Sequence, residues 1–202
     1  MAGGINAGPL DFSCSCGKLQ GQLTAKGAAS GLHVGCYCSD CRAVEIHMHR
    51  PDPAPDPVDL FLTTQDTLTI TQGTQHIGLL RLSPRGTMRW YATCCDTHLF
   101  NTSANPKLAF LSIRATTLGA PERLGPFIAE TNIPKPGGKT VNKGMARVMR
   151  KLVPQILIAR LTGRWRQSPL FDTDSGEPVV APVILSKEER ATLYPDQRKT
   201  SG

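Results

Sequence analysis

The sequence predicts a mainly β protein, in which antiparallel strands are joined by cysteine-containing turns and followed by a helical C-terminal extension. Glycine and proline are frequent, with 19 and 16 residues in a chain of 202, which favours short strands and many turns over a helical bundle. Strand-like segments recur up to about residue 113, whereas apolar residues recur at helical spacing after residue 139. Hydrophobic residues make up 40% of the chain, which is enough for a real core.

The N-terminal part contains two predicted strands and a short helix. Polar and apolar side chains alternate over residues 18–25, the pattern of a strand with one buried face. Residues 33–35 lead as a second strand into a predicted helix over residues 39–48. Residues 51–57 carry proline at alternate positions, and proline can neither continue a helix nor donate a hydrogen bond to a sheet. We therefore expect an extended loop there.

A predicted antiparallel meander follows this loop. Glycine and proline mark turns at residues 72–73 and 84–86. Around these turns lie five strand-like segments, at residues 58–63, 67–71, 76–82, 87–93 and 108–113. We expect residues 10–130 to form one β domain.

Residues 139–202 are predicted to form a helical extension that packs on this domain. Apolar residues recur at the spacing of an amphipathic helix, at Val141, Met145, Val148, Met149 and Leu152. Pro154 is expected to break or kink this helix. Ser186 and Glu189 form a capping-box pattern that predicts a second, short helix.

The extension is strongly basic. The net charge of the chain is +7, and residues 139–166 contain eight lysines and arginines and no acidic residue, so the remainder carries −1. We expect the apolar side of the helix to pack on the protein and its cations to be solvated. Docking of residues 139–166 on an anionic membrane surface or on a partner protein is the alternative. Sequence-specific binding of nucleic acid is not expected, because nothing in the segment specifies base contacts.

Seven cysteines lie in three tight clusters, which are a C-x-C-G turn, a C-x-C-x-x-C motif and an adjacent pair. Spacings this short suit ligands of one tetrahedral ion better than disulfides, and seven cysteines cannot pair evenly. The clusters predict up to two zinc ions in a protein of a reducing compartment, which we expect to be the cytoplasm. Residues 1–9 show no signal-peptide pattern, and no segment approaches the roughly 20 apolar residues of a membrane span.

The clusters predict two different metal sites. A structural zinc with no open coordination position would be held by four thiolates, those of Cys14, Cys16, Cys94 and Cys95. A second, reactive zinc with an open fourth position would be held by Cys36, Cys38 and Cys41. A water or a substrate thiol could fill that position. The alternative is a second structural zinc that is closed by a histidine, either His33, His47, His49 or His98.

Two further groups of polar residues have open roles. Arg81, Arg85 and Arg89 either hold the carboxylates of a peptide-like thiol or lie on the solvated face of a strand. His98, taken by itself, is expected to be a solvated turn residue and not a catalyst.

The cysteine motifs resemble, in their order and spacing, those of the glutathione-dependent formaldehyde-activating enzyme and centromere protein V (CENP-V/GFA) family. The segment CYCSDC at residues 36–41 matches the second motif of that family, and CDTHLF at residues 95–100 resembles its last motif. The resemblance covers residues 12–115. It implies an Mss4-like fold with zinc-bound antiparallel sheets, a structural zinc, and a second zinc on three cysteines.

The resemblance also implies carbon–sulfur lyase chemistry, the condensation of formaldehyde with glutathione to S-hydroxymethylglutathione. We accordingly expect a lyase that acts on a small thiol–aldehyde adduct, with glutathione as the candidate thiol. The competing expectation is a non-catalytic zinc module whose basic helix docks to a membrane surface or a protein partner. The third motif of the family is usually C-x-x-C, and Ala92 stands at its first position. Either Cys94 replaces that ligand or the site has one ligand fewer.

Overall fold

The structure, a computed structural model, describes residues 8–194. The N-terminal segment without a signal-peptide pattern lies almost entirely outside this range, as do residues 195–202 of the predicted extension. The first half contains β1 (Leu10–Ser13), β2 (Gln20–Leu23), α1 (Ala25–Ser30), β3 (Leu32–Cys36), α2 (Ser39–His47), β4 (Val58–Thr64), β5 (Leu68–Gln72), β6 (Ile77–Arg81) and β7 (Met88–Ala92). The second half contains β8 (Thr97–Thr102), β9 (Phe110–Arg114), β10 (Ala129–Pro134), β11 (Thr140–Lys143), α3 (Met145–Leu161), β12 (Val183–Ile184) and α4 (Lys187–Thr192).

The strands form two sheets, so the prediction of a mainly β fold is confirmed. The small sheet has the order β1-β2-β5, and the large sheet has the order β11-β10-β3-β4-β9-β8-β7-β6-β12. The expectation of purely antiparallel pairing is wrong in two ladders, because β10 pairs with β3 and β12 pairs with β6 in parallel. Both pairs join strands that are far apart in the chain, and a long connection lets the second strand run in the same direction as the first.

Most of the predicted elements are present, with shifted ends. All five meander strands form, as does the helix after the second cysteine cluster. The first predicted strand ends at Leu23, because Thr24 caps α1 by accepting a hydrogen bond from the amide of Gly27. The short C-terminal helix begins with the expected capping box, in which Ser186 and Glu189 bond each other's backbone amides.

The main core lies around the large sheet and is filled mainly by aromatic side chains and leucines. Phe12 of the small sheet meets Phe100 of β8 edge to face, with ring centroids 5.0 Å apart. Trp90 of β7 is fully buried and meets Phe171, which comes from the segment after α3. The aromatic residues are few, but they are concentrated where the two sheets and the C-terminal segment meet.

The predicted basic helix begins later than its apolar pattern suggests. Val141 belongs to β11, and the helix starts only after Gly144, which has a φ of +74°. A Cβ atom at Gly144 would lie 2.2 Å from the carbonyl oxygen of Ile128, so this close turn requires glycine. The helix then continues through Pro154 to Leu161 as one element.

The helix α3 packs one side against the large sheet. Val148 and Leu152 are buried in a cluster with Leu32 and Leu60 of β3 and β4, whereas Met149 is exposed. Within residues 8–194 no helix is long and apolar enough to cross a membrane.

Candidate metal centres

Four sulfurs from two distant turns meet at the first centre. Cys14 and Cys16 lie in the turn after β1, and Cys94 and Cys95 lie in the turn between β7 and β8. The sulfur–sulfur distances are 3.6 Å for Cys14–Cys16, 3.9 Å for Cys14–Cys94, 3.3 Å for Cys16–Cys94 and 3.9 Å for Cys94–Cys95. A tetrahedral ion with metal–sulfur bonds of about 2.3 Å would place its ligands about 3.8 Å apart. The four sulfurs therefore fit one tetrahedral ion.

The hairpin between β7 and β8 explains why Cys94, and not the residue at position 92, accompanies Cys95 at the first centre. Ala92 is fully buried in the main core, which leaves no room for a larger side chain at that position without displacing core atoms. The amide of Cys95 donates to the carbonyl of Ala92, and Asp96 has a φ of +50°, so the chain reverses within the cysteine pair. This tight reversal brings both Cys94 and Cys95 to the same side as Cys14.

Three sulfurs form the second centre, at the start of α2. Cys36 ends β3, Cys38 is the N-cap of α2, and Cys41 lies in its first turn. The sulfurs of Cys36 and Cys38 are 3.4 Å apart, and all three sulfurs lie within 4.8 Å of one another. The amide of Cys41 lies 3.3 Å from the sulfur of Cys38, so the helix N-terminus directs a donor at this ligand.

The histidines considered as a fourth ligand do not complete the second centre. Among residues 8–194 the three cysteines group without a histidine nitrogen within 4.8 Å. His33 instead contacts the carbonyl of Gly125 and the carboxylate of Asp59. The described part of the chain therefore supplies three ligands at this position, compatible with a metal ion that keeps one further coordination position.

Contact between the thiols separates their pKa values. Contacts with the Cys38 and Cys41 thiols lower the pKa of Cys36 to about 2, and contact with Cys36 raises the pKa values of Cys38 and Cys41. At the first centre burial and contact with Cys16 raise the pKa of Cys94 to about 12. Crowded thiols thus cannot all ionise together without a cation between them.

A buried arginine lies beside the second centre. Arg89 of β7 is only 5% exposed, and its Nη1 atom lies 3.8 Å from the sulfur of Cys41 and 2.8 Å from Oδ1 of Asn101. Within residues 8–194 it forms no ion pair with a carboxylate. The alternative of a solvated arginine is wrong here, because β7 lies between β6 and β8 and this side chain is buried.

The charge of Arg89 fits a metal-loaded centre. A buried guanidinium is costly unless an anion compensates it. Three thiolates around a divalent cation would carry a single net negative charge. Arg89, which contacts Cys41, would balance that charge, so its position is compatible with a divalent ion at this centre.

His98 is also buried, at 3% exposure, and so is not the solvated turn residue that we expected. Its Nε2 atom lies 2.8 Å from Oδ1 of Asn101 and its Nδ1 atom lies 3.0 Å from Oε1 of Glu45. Arg89 can only donate, so Oδ1 of Asn101 is an acceptor for both neighbours. Both ring nitrogens of His98 thus face acceptor oxygens, and a chain of hydrogen bonds joins Glu45 to the arginine beside Cys41.

A cleft of about 430 Å³ opens next to this chain. Its polar lining includes Glu45, Arg50, His98 and Arg114, together with Ser15 and Thr97 at the edge of the first centre. Glu45 lies four residues after Cys41, which places the two side chains on the same face of α2. The cleft therefore borders the first centre through Ser15 and Thr97, and Glu45 lies one helical turn from Cys41 of the second.

Sequence reasoning missed Glu45, Arg50 and Arg114 because they come from separate segments. Arg114 closes β9 and Arg50 follows α2, and neither belongs to a motif. The only local signal was the position of Glu45, an acidic residue one helical turn after a proposed ligand. Its partners His98 and Arg114 are adjacent to it only because β8 and β9 are neighbours in the sheet.

Glu45 is expected to stabilise the protein through its charge. Burial raises its pKa, but the hydrogen bond from His98 and the cation Arg114 lower it to a net value below the ordinary glutamate range. Because the folded-state pKa is lowered, this contribution is present above the unfolded-state pKa of about 4.3 and is lost as the pH falls through the folded-state value.

Glu45→Gln should therefore cost about 2 kcal/mol of unfolding free energy at pH 7, because two charged hydrogen bonds are weakened. The difference from the wild type, measured by urea denaturation from pH 7 to pH 3, should shrink towards zero in acid. Glu122→Gln, a substitution at an exposed position, is the matched control. A pH-independent difference would show that Glu45 acts by packing alone.

Comparison with known proteins gives a family but no function. The family described as "family of unknown function (DUF6151)" matches residues 7–182. No curated protein matches the chain. A crystal structure of a Rhodobacter sphaeroides protein is similar, with 18% sequence identity and a TM-score of 0.41, over 58% of this chain and 96% of that chain.

Proposed function

The chain belongs to the DUF6151 family of unknown function, and we propose that it is a zinc protein with carbon–sulfur lyase activity on a small thiol–aldehyde adduct. The observation that carries the proposal is a group of three sulfurs without a fourth ligand among residues 8–194, one helical turn from Glu45, which lines a polar cleft. Sites with three protein ligands are typical of reactive zinc, and sites with four are typical of structural zinc. The first centre, with four sulfurs, is compatible with a structural zinc, and the second, with three, is compatible with a reactive zinc.

Zinc is the ion that the donor set favours. Thiolates are soft ligands that select zinc over magnesium or calcium, and the sulfur spacing at the first centre suits tetrahedral coordination. Cys36, Cys38 and Cys41 would hold this ion, and it would supply the positive charge that favours the thiolate form of a substrate thiol at neutral pH. A thiolate is the form of a thiol that adds to an aldehyde carbonyl.

The residues of the chain would bind and orient the substrate. Arg50 is exposed in the cleft, and its Nη2 atom contacts only the neutral hydroxyls of Ser15 and Thr97, so its charge is available for a carboxylate. Arg114 is held by Glu45 and by the carbonyl of Asp59, which fixes the position of its guanidinium. A small peptide-like thiol such as glutathione has carboxylates that suit these two arginines.

The second candidate function is a non-catalytic zinc module. It is favoured by the burial of Cys36 and Cys41, since a substrate thiol must reach the metal. Titration of glutathione into the cobalt-substituted protein distinguishes the two functions, because the absorption of cobalt thiolates depends on the ligands. A new sulfur–cobalt band supports the lyase, and an unchanged spectrum supports the closed module.

Cys36→Ser, Cys38→Ser and Cys41→Ser should each remove one of two zinc ions and abolish the acceleration of S-hydroxymethylglutathione formation, while the fold is retained. Their effect on the fold is small because the second centre lies within one β3–α2 connection, whereas the first joins distant parts of the chain. Metal analysis, circular dichroism and an NMR assay with labelled formaldehyde and glutathione measure the three properties.

Ser39→Ala, next to the ligands, is the matched control for these variants and should keep both ions and the activity. Wild-type protein with two zinc ions and no effect on the formaldehyde–glutathione reaction would contradict the lyase. Variants that unfold as completely as a variant of the first centre would show that the second centre is structural.

A further inference from the structure

We propose that the outer face of α3 binds the surface of an anionic lipid bilayer, with the helix lying parallel to the membrane. This face is defined by Arg147, Arg150, Leu157, Ile158 and Leu161, all of which are exposed. The proposal concerns a surface on α3 and is independent of the chemistry at the metal centres.

The fold does not require this face for its own packing. The opposite side of α3 supplies the buried residues Val148, Leu152 and Ala159, which pack on the protein. Packing on the domain and docking on a membrane were alternatives for a helix with one apolar side. The structure shows two apolar sides, of which only one is covered within the described part of the chain.

The outer face carries apolar side chains that water solvates poorly. Leu161 is 84% exposed, Leu157 is 50% exposed and Ile158 is 49% exposed. Leu157 and Leu161 are one helical turn apart, and Arg150 lies two turns before Leu157, so these three residues lie along one stripe. A group of exposed aliphatic residues on one stripe is typical of an interaction surface, whereas isolated exposed residues are common on any protein.

The cations of α3 surround these apolar residues. Arg147, Arg150, Lys151 and Arg160 are exposed, and within residues 8–194 none of them forms an ion pair. The helix itself contains no acidic residue. Their positive field therefore remains uncompensated and attracts anionic surfaces.

An anionic bilayer fits this combination better than other polyanions. Leucine and isoleucine can enter the boundary between headgroups and acyl chains while the flanking arginines bind lipid phosphates. A nucleic acid would use the arginines but would leave the aliphatic residues in contact with a charged backbone. With 17 residues, α3 is about 25 Å long, enough to place both sets of side chains in the interface at once.

Full-length protein should sediment with vesicles of phosphatidylcholine containing 30% phosphatidylserine and should not sediment with phosphatidylcholine alone. The double substitution Arg147→Gln and Arg150→Gln should weaken this binding about 30-fold, since each cation near an anionic surface contributes about fivefold. Leu161→Gln should weaken binding about tenfold at unchanged charge, because a leucine no longer enters the interface. Binding should also fall as salt rises from 50 to 500 mM.

Matched controls are Lys26→Gln with Arg85→Gln for the charge change and Val179→Gln for the apolar change. All three control positions are exposed and lie outside α3. Equal weakening by the control variants, or no binding of the wild type to phosphatidylserine vesicles, would overturn the proposal. The proposal would also be overturned if the wild type bound double-stranded DNA but not the vesicles, and if Leu161→Gln bound the DNA equally well. Thermal melting of each variant verifies that it is folded.

Discussion

Cys14→Ser should leave the protein unfolded at 25 °C. The first centre joins the turn after β1 in the small sheet to the β7–β8 turn in the large sheet. Structural zinc contributes about 10–16 kcal/mol in small zinc domains, whereas the net stability of a folded domain is about 5–15 kcal/mol. Losing one of four ligands therefore removes a contribution as large as the whole net stability.

Circular dichroism and metal analysis of the purified variant test this expectation. Cys38→Ser makes the same chemical change at the second centre and should remain folded, so it is the matched control. Chelation of the wild type should reproduce the effect of Cys14→Ser, because both remove the same ion. If the Cys14→Ser protein had the melting temperature and the metal content of the wild type, this centre would be ruled out as the link between the sheets.

Arg89→Met should lower the unfolding free energy of the metal-loaded protein by about 3–5 kcal/mol and weaken metal binding at the second centre. The reason is electrostatic, since the substitution leaves the negative charge of three thiolates and one divalent ion buried without its partner. It also removes the donor that holds Oδ1 of Asn101. Arg89→Lys keeps the charge but loses the forked geometry, and an intermediate effect is expected.

The effect should be smaller when the second centre alone is empty. Cys38→Ser is expected to lose that ion and stay folded, and Arg89 then contacts the thiol of Cys41, whose pKa is raised, in place of a metal-bound thiolate. Urea denaturation of Arg89→Met and its parent, in the wild-type and the Cys38→Ser backgrounds, gives the four free energies needed. Arg85→Met, at an exposed position, controls for loss of positive charge. An equal loss of stability in both backgrounds would contradict the compensation of a metal centre by Arg89.

The cysteine clusters illustrate what could be predicted from the sequence. Ligands two or three residues apart are placed by one local turn, so the grouping of Cys36, Cys38 and Cys41 requires no knowledge of the fold. The meander strands and the final helix were predictable for the same reason, because alternation and capping are local patterns. Cys94 was harder to assign, since its orientation depends on the hairpin that buries Ala92.

The polar groups around the second centre could not be predicted in this way. Glu45, Arg89, His98 and Arg114 come from α2 and three strands, and only the order of the sheet makes them neighbours. Viewed singly, each has the properties of an ordinary surface residue. The start of α3 was also missed, because Val141 fits a helical apolar pattern while the close approach at Gly144 ends a strand.

The order of strands in the large sheet has a consequence for synthesis of the chain. Its two outermost strands are β11 and β12, both encoded in the last third of the sequence. Until the ribosome has produced them, β6 and the β3 side of the sheet have unpaired backbone groups beside buried apolar residues. A nascent or truncated chain is thus exposed to edge-to-edge aggregation, and the short strands β11 and β12 cover β10 and β6 once they form.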